Sequence, residues 1–236
     1  MTPAPTLLRF SLAVTLLASV TPIPWLQARA EEATAPLSAP SHDTTNPGGS
    51  ETAILAGGCF WGMQGVFEHV RGVTSVVEGY DGGKSSTASY EMVSTGSTGH
   101  AESVRITFNP HTISYGGLLR IFFSVALDPT QVDRQFPDVG TQYRSEVFAT
   151  TPEQAAIARD YIAELNRAHA FSRPIATKVE TDSGFYPAEA YHQDYLIRHP
   201  ESPYIATYDL PKIEKLARLF PQAYQADPVT VSEAER

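Results

Sequence analysis

The sequence contains one cysteine, Cys59, among its 236 residues. A lone cysteine cannot form an internal disulfide, so it is either a buried, inert thiol or a reactive one. No second cysteine is present, and His100 and His192 lack the spacing of metal-binding histidines, so we expect no metal site. Neither GxxxxGK(S/T) nor GxGxxG occurs, and nothing therefore indicates nucleotide binding.

Basic residues are also scarce. The sequence has 17 Lys and Arg against 26 Asp and Glu, which gives a formal net charge of −9. An acidic balance of this kind argues against nucleic acid and against anionic membrane surfaces as partners.

Apolar runs of membrane-spanning length are absent. The run from Phe10 to Val20 is too short for a transmembrane helix. Arg9 precedes it and Ala28-Arg29-Ala30 follows it, a pattern typical of a secretory signal peptide over residues 1–30. We expect cleavage after Ala30 and an exported, periplasmic protein without membrane insertion; an uncleaved amphipathic tail is the alternative.

Composition divides the remainder into three parts. Residues 31–50 are rich in Pro, Ser, Thr and Gly, which predicts a disordered linker. Residues 51–224 have the dense apolar patterning of a single domain, and residues 225–236 are predicted to form a flexible tail.

Within the domain, segments whose apolar residues are spaced as in a strand alternate with segments whose apolar residues are spaced as in a helix. Thr151, Pro152 and Gln154 form a helix start with an N-cap, a proline at the first position and a capping box. This alternation indicates an α/β (α+β) two-layer sandwich with a mixed sheet and helices. Strands are predicted at 52–56, 73–80, 101–108, 145–149 and 175–181, and helices at 59–69, from 114, at 151–168, 188–198 and 212–220.

Cys59 lies in the stretch AGGCFWGM, residues 56–63, between a strand and a helix. Backbone N–H groups and the helix dipole should favour a thiolate at that helix N-terminus, and thiolates are the reactive form of cysteine. Phe60 and Trp61 supply an apolar wall beside the sulfur. We therefore interpret Cys59 as a nucleophile; a buried, inert cysteine is the alternative.

Glu102 alternates in phase with Val104, Ile106 and Phe108, so it shares the apolar face of a strand. Burial raises the pKa of a carboxyl group, which keeps a proton donor loaded near neutral pH. We predict that Glu102 is the acid that serves the nucleophile. An edge-strand glutamate that faces solvent is the alternative.

A third candidate segment is PDVGTQYRS, residues 137–145, a loop that carries several polar side chains. Within it Asp138 and Tyr143 could face a ligand. Tyr143 and Tyr90 could each offer a phenolic O–H to an oxygen atom. Ordinary half-buried core tyrosines are the alternative.

The motifs GGCFWG, GHAE and DxGTQYRS, in this order and followed by AEAYHQDYL, resemble the A-type peptide methionine sulfoxide reductases over residues 52–222. The resemblance implies a two-layer α/β fold related to ferredoxin-like plaits. It also implies thiol-dependent reduction of methionine S-sulfoxide, free or within proteins, and no bound cofactor.

The resemblance also implies residue roles. Cys59 would attack the sulfoxide sulfur and become a sulfenic acid, and Glu102 would protonate the oxygen with help from Tyr90 and Tyr143. Phe60 and Trp61 would hold the methyl group, and Asp138 would bind the polar part of the substrate.

Two features depart from the family pattern. Many relatives carry resolving cysteines, and this sequence has none, so an external thiol of the thioredoxin or glutaredoxin type, or a small thiol, is expected as the reductant. Leu127 stands where relatives commonly have histidine, and Phe136 stands where they commonly have glycine.

Two rival functions stay open at this point. One is a thiol peroxidase, although the residues beside Cys59 are aromatic and no arginine is adjacent. The other is a peptide-binding module in which Cys59 is inert. We expect the protein to be a monomer whichever of these functions it has.

Overall fold

The computed structural model describes Met1 and residues 35–44 and 49–231. The chain divides into two units, Met1–Glu32 and Ala33–Arg236, and the account below concerns the second. The predicted signal peptide, apart from Met1, lies outside the described residues. Among those residues, no helix combines the length and the apolar character needed to cross a membrane.

A six-stranded mixed sheet forms the frame of the domain. The strands are β1 Glu51–Gly57, β2 Val73–Asp81, β3 Ala101–Phe108, β4 Arg134–Gln135, β5 Asp138–Val139, β6 Ser145–Ala149, β7 Lys178–Thr181 and β8 Tyr186–Pro187. The strand order in the sheet is β7-β6-β1-β3-β2-β8, and β4 and β5 form a separate two-stranded hairpin. Strand β1 pairs antiparallel with β3 and β6, and β2 pairs antiparallel with β3 and β8. Strand β7 runs parallel to its neighbour β6.

The main core lies between one face of this sheet and a layer of helices. Val104 and Ile106 of β3 belong to it, together with Phe67 of the first helix. The opposite face carries only a small cluster around Ala56 and Phe148. This two-layer arrangement and the mixed sheet confirm the predicted fold class. The helices are α1 Phe60–Glu68, α2 Tyr90–Val93, α3 Tyr115–Ile121, α4 Pro152–Arg167, α5 Tyr195–Arg198 and α6 Leu210–Leu219.

Helix α4 begins where its sequence predicts. The Thr151 side chain accepts the N–H of Gln154 at 3.1 Å, as an N-cap does. The Gln154 side chain does not complete a reciprocal capping box. It instead accepts the N–H of Thr150 at 3.2 Å and donates to the carbonyl of Thr52 at 2.8 Å, and so ties the helix to β1.

The predicted helix over 188–198 is wrong for most of its length, because only Tyr195–Arg198 is helical. Asp194 has a left-handed backbone with φ +55°, which interrupts a right-handed helix. The Gln193 side chain pairs with the backbone N–H and carbonyl of Glu78, at 2.9 Å each. Tertiary hydrogen bonds to β2 thus replace the helical ones.

Both segments that the sequence assigns to flexible chain make defined contacts where they are described. Within 35–44, Leu37 N donates to Ser124 Oγ at 3.2 Å, and the Asp43 carboxylate accepts the N–H of Gly116 at 2.9 Å. In the tail, Val231 is 1% exposed. The described residues of both segments thus bind neighbouring elements of the domain, while the bounds of the linker and the tail stay predictions.

Candidate active site

Cys59 is the N-cap residue of α1, directly after the strand β1 and a glycine turn. Gly58 has φ +95°, and a Cβ atom added there would lie 2.6 Å from Cβ of Gln135. Only glycine therefore allows this turn and the close approach of the β4–β5 hairpin. The turn places Cys59, which is partly exposed, at the helix start as predicted.

The protonation of Cys59 differs from the expectation. Burial raises the pKa of the thiol well above its usual value, and the charges of Glu102 and Asp209 raise it further. The backbone N–H of Trp61 and the charge of Lys212 lower the pKa but do not outweigh these effects. The helix N-terminus acts in the predicted direction, yet the resting site favours the thiol.

Glu102 lies on β3, opposite Tyr80 of β2, and is 3% exposed. Its Oε2 atom accepts the backbone N–H of Phe60 at 3.1 Å. Because Phe60 directly follows Cys59, this hydrogen bond brings the carboxyl group to the same helix start as the thiol. Burial raises the pKa of Glu102 to about 8, against the Phe60 hydrogen bond that lowers it, and the charge of Asp138 adds to the rise. Glu102 therefore holds its proton at neutral pH.

Tyr90 and Tyr143 both interact electrostatically with Cys59 and Glu102. Burial raises the pKa of both phenols, and the charges of Glu102 and Cys59 raise each of them further, so both groups are close enough to interact with the pair. Tyr90 begins α2, and its N–H donates to Glu189 at 2.9 Å. Both phenols remain protonated and can donate hydrogen bonds.

The two residues of the predicted aromatic wall differ in exposure, because Phe60 is buried in the core and Trp61 is partly exposed. Phe60 is 1% exposed and packs against Tyr80 and His192, with ring centroids 5.9 and 5.0 Å away. Its ring therefore offers almost no surface to a substrate. Trp61 is partly exposed and stacks on Tyr195 at 4.0 Å, so it is Trp61 that can present an apolar face.

His192 supports this wall, a role that the sequence analysis did not foresee. Its Nδ1 atom lies 3.2 Å from the indole nitrogen of Trp61. Because an indole N–H only donates, Nδ1 must be the acceptor, and the neutral ring carries its hydrogen on Nε2. Burial lowers the pKa of His192 against the opposing charge of Glu189, which fits a neutral ring.

Asp138 is placed by the β4–β5 hairpin, in which it pairs with Gln135. Its Oδ2 atom accepts a short hydrogen bond from the hydroxyl of Tyr204. Of the two departures from the family pattern, Leu127 packs against the main core, whereas Phe136 is 72% exposed at the hairpin. Asp138 lies close enough to Glu102 for its charge to raise the pKa of that carboxyl group.

Asp209 and Lys212 complete the surroundings of the thiol and were missed by the sequence analysis. Asp209 is fully buried, and its Oδ1 atom accepts a hydrogen bond from Lys212 Nζ at 3.0 Å. No local pattern marks them, because they lie about 150 residues from Cys59 and reach it only through the fold. Within the described residues, no group of His, Cys, Asp and Glu could hold a metal ion.

A cysteine at a helix start, with a protonated carboxyl group and two phenols close to its thiol, is the side-chain set of a thiol-based oxidoreductase. Residues 51–224 match the family model described as peptide methionine sulfoxide reductase. The chain belongs to the peptide methionine sulfoxide reductase family and is a peptide-methionine (S)-S-oxide reductase.

Individual relatives agree with the family match. The chain is 55% identical to the peptide methionine sulfoxide reductase MsrA 2 of Mesorhizobium japonicum over 79% of this chain and 95% of that protein. It is 51% identical to MsrA 2 of Synechocystis over 78% and 86%. Among solved structures it is similar to reduced Mxr1 from Saccharomyces cerevisiae, with 31% identity, a TM-score of 0.60 and coverage of 69% of this chain and 92% of that one.

Proposed function

We propose that Cys59 and Glu102 together carry the reduction of methionine S-sulfoxide. The observation that supports this pairing most directly is the hydrogen bond from Phe60 N to Glu102, which holds the acid at the helix start that presents the thiol. A sulfoxide oxygen leaves poorly until it is protonated, so nucleophile and acid must reach the same substrate group.

Both groups start protonated in the resting site, since the pKa of each is raised. Glu102 gives its proton to the sulfoxide oxygen, and its carboxylate can then accept the proton of the Cys59 thiol. The oxygen passes from the substrate sulfur to the Cys59 sulfur. Methionine sulfoxide is reduced by two electrons to methionine, Cys59 is oxidised by two to a sulfenic acid, and no net proton is consumed.

The surrounding side chains position the substrate. In this proposal Tyr90 and Tyr143, whose phenols stay protonated, donate hydrogen bonds to the sulfoxide oxygen beside Glu102. Trp61 supplies the apolar contact for the methyl group, and Asp138, oriented by Tyr204, receives a polar group of the substrate residue.

Regeneration is proposed to use an external thiol, because the sequence has no second cysteine. One thiol attacks the sulfenic acid and releases water, and a second thiol resolves the mixed disulfide and restores Cys59. A thioredoxin-like or glutaredoxin-like protein, or a small thiol, would supply both electrons.

Export to the periplasm is proposed from the pattern of residues 1–30 alone. Mass spectrometry of the protein recovered from a periplasmic extract should give an N-terminus at Glu31. Retention of residues 1–30 on all of the protein would contradict the proposal.

Mass spectrometry after one turnover without reductant tests the chemistry. We expect Cys59 to gain one oxygen and a stoichiometric amount of methionine to appear, while Cys59→Ser yields neither. Turnover by the serine variant would overturn the role of Cys59. A large kinetic preference for hydrogen peroxide over an S-sulfoxide peptide would favour the thiol peroxidase, and peptide binding without turnover would favour the binding module.

A further inference from the structure

The exposed apolar side chains of the protein are not spread over its surface. Among residues 35–44 and 49–231, every large hydrophobic side chain that lies exposed belongs to a segment next to the active site. Phe136 at the hairpin is the most exposed of them, with 72% of its surface accessible. The full set is Tyr90, Met92, Val132, Phe136, Val139 and Tyr191.

Phe136 is joined to the active site by a series of aromatic rings. Its ring lies 5.8 Å from that of Tyr208, which lies 5.1 Å from Tyr204. The Tyr204 ring lies 6.1 Å from Trp61, edge to face. We call Trp61, Tyr204, Tyr208 and Phe136 the aromatic track. It starts at the apolar wall beside Cys59 and ends in the exposed hairpin.

We propose that the aromatic track binds the polypeptide that flanks a protein-bound methionine sulfoxide, and that it favours clients with an aromatic or large aliphatic residue within about five positions of the oxidised methionine. The proposal rests on the proposed function, because it needs the sulfoxide side chain to enter the pocket at Cys59 and Trp61. It makes Phe136 a determinant of specificity.

The length and fixation of the track suit an extended chain. An extended polypeptide advances about 3.3 Å per residue, so the three ring-to-ring steps correspond to about five residues. Tyr204 is held by its hydrogen bond to Asp138, so the middle of the track is fixed before a client binds. A preorganised aromatic surface loses little conformational entropy on binding.

Continuity with the substrate pocket favours a client over the reductant. A segment that delivers its side chain to Trp61 must continue over the neighbouring surface, and the track is a continuous aromatic part of that surface. The reductant instead needs access to the sulfur of Cys59 after the product has left. Docking of the reductant on the track is therefore the competing outcome of the test.

The test measures the turnover of two peptide substrates by the unaltered enzyme and by the variant Phe136→Ala. The variant Phe136→Tyr is the matched control. Each peptide carries methionine S-sulfoxide at its centre, in a Gly-Ser sequence, and one has Leu at several positions within five residues on both sides. The variant Phe136→Ala should lower kcat/KM about tenfold for the Leu-containing peptide, the size typical of an interface aromatic. The Phe136→Tyr variant should keep kcat/KM for the Leu-containing peptide close to that of the unaltered enzyme. For the peptide without Leu, kcat/KM should change little in either variant.

Acetyl-methionine-S-sulfoxide methylamide serves as the small reference substrate. Its turnover by the unaltered enzyme tests the proposed function independently of the track. Equal losses on all three substrates would mean a disturbed Asp138 loop and would overturn the proposal. A changed KM for the thiol reductant, with unchanged kcat/KM for the Leu-containing peptide, would assign the track to the reductant and would overturn it as well.

Discussion

The exchange Glu102→Gln isolates proton delivery from the architecture of the site. The amide has nearly the shape of the carboxyl group, and its Oε1 can accept the Phe60 N–H that Glu102 accepts at 3.1 Å. It has no proton that it can release near neutral pH. General acid catalysis contributes about 10²–10⁴-fold in rate, so we expect the single-turnover rate constant to fall by that factor.

The pH dependence follows from the pKa of Glu102, which burial raises to about 8. The carboxyl group is protonated, and able to act as the acid, below that pH. Single-turnover reduction by the unaltered enzyme should therefore decline as the pH rises through about 8. The glutamine variant should lack this decline, since it has no group that ionises there.

The same pKa predicts an effect on stability. The carboxyl group ionises near 4.5 in an exposed setting and near 8 in the fold, so the folded state binds more protons between these values. Stability from Glu102 is complete below about pH 4.5 and is lost as the pH rises to about 8. The shift corresponds to roughly 4–5 kcal/mol at most, so the glutamine variant should gain in relative stability across this window.

Quenched-flow measurement of methionine formation from pH 5 to 10 checks the effect on the rate. Urea unfolding at pH 5 and at pH 10 checks the effect on stability. Glu146→Gln is the matched control, because Glu146 is also buried but is paired with Arg144 at 2.5 Å. The control should keep the decline near pH 8. A wild-type single-turnover rate in Glu102→Gln, or a persistent decline, would refute the reasoning.

Three further exchanges test the surroundings of the site. Lys212→Met removes a charge that lowers the pKa of the Cys59 thiol, so iodoacetamide should alkylate Cys59 more slowly at a given pH; an unchanged profile would contradict this. Gly58→Ala forces a side chain into a φ of +95° and against Gln135. It should reduce the free energy of unfolding by about 1–3 kcal/mol in urea titrations, whereas wild-type stability would show that the turn relaxes. His192→Phe removes the acceptor of the Trp61 N–H, so KM for a sulfoxide peptide should rise several-fold with alkylation of Cys59 unchanged; an unchanged KM would contradict the positioning role.

Local signals predict the parts of the site that local structure builds. The alternation in β3 predicts the burial of Glu102, and the strand–glycine–helix pattern predicts the position of Cys59, because both depend on neighbours within a few residues. The cap of α4 at Thr151 follows from the same kind of signal. The fold class follows from the alternation of strands and helices, while the strand order depends on long-range pairing and could not be derived.

The parts of the site that could not be predicted from the sequence are those that tertiary contacts create. Tyr204, Asp209 and Lys212 carry no local signature and reach the thiol only when the C-terminal helices fold over α1. The AEAYHQDYL segment reads as a helix by its residues, but Gln193 bonds to β2 and Asp194 turns left-handed instead. A pKa is also a sum over the fold. The helix N-terminus alone predicts a thiolate at Cys59, but burial of the thiol, together with the charges of Glu102 and Asp209, raises its pKa and reverses that prediction.

The raised pKa of the Cys59 thiol fits the order of proton transfers in the proposed mechanism. A thiolate at rest would be oxidised by many agents, whereas a protonated thiol beside a protonated acid is comparatively unreactive. In the mechanism proposed above, a sulfoxide that enters supplies the oxygen that takes the Glu102 proton, and the carboxylate so formed is the base that the thiol lacks. Under that mechanism, burial and neighbouring negative charge, which raise the pKa of both groups, would link activation of the nucleophile to the presence of the substrate.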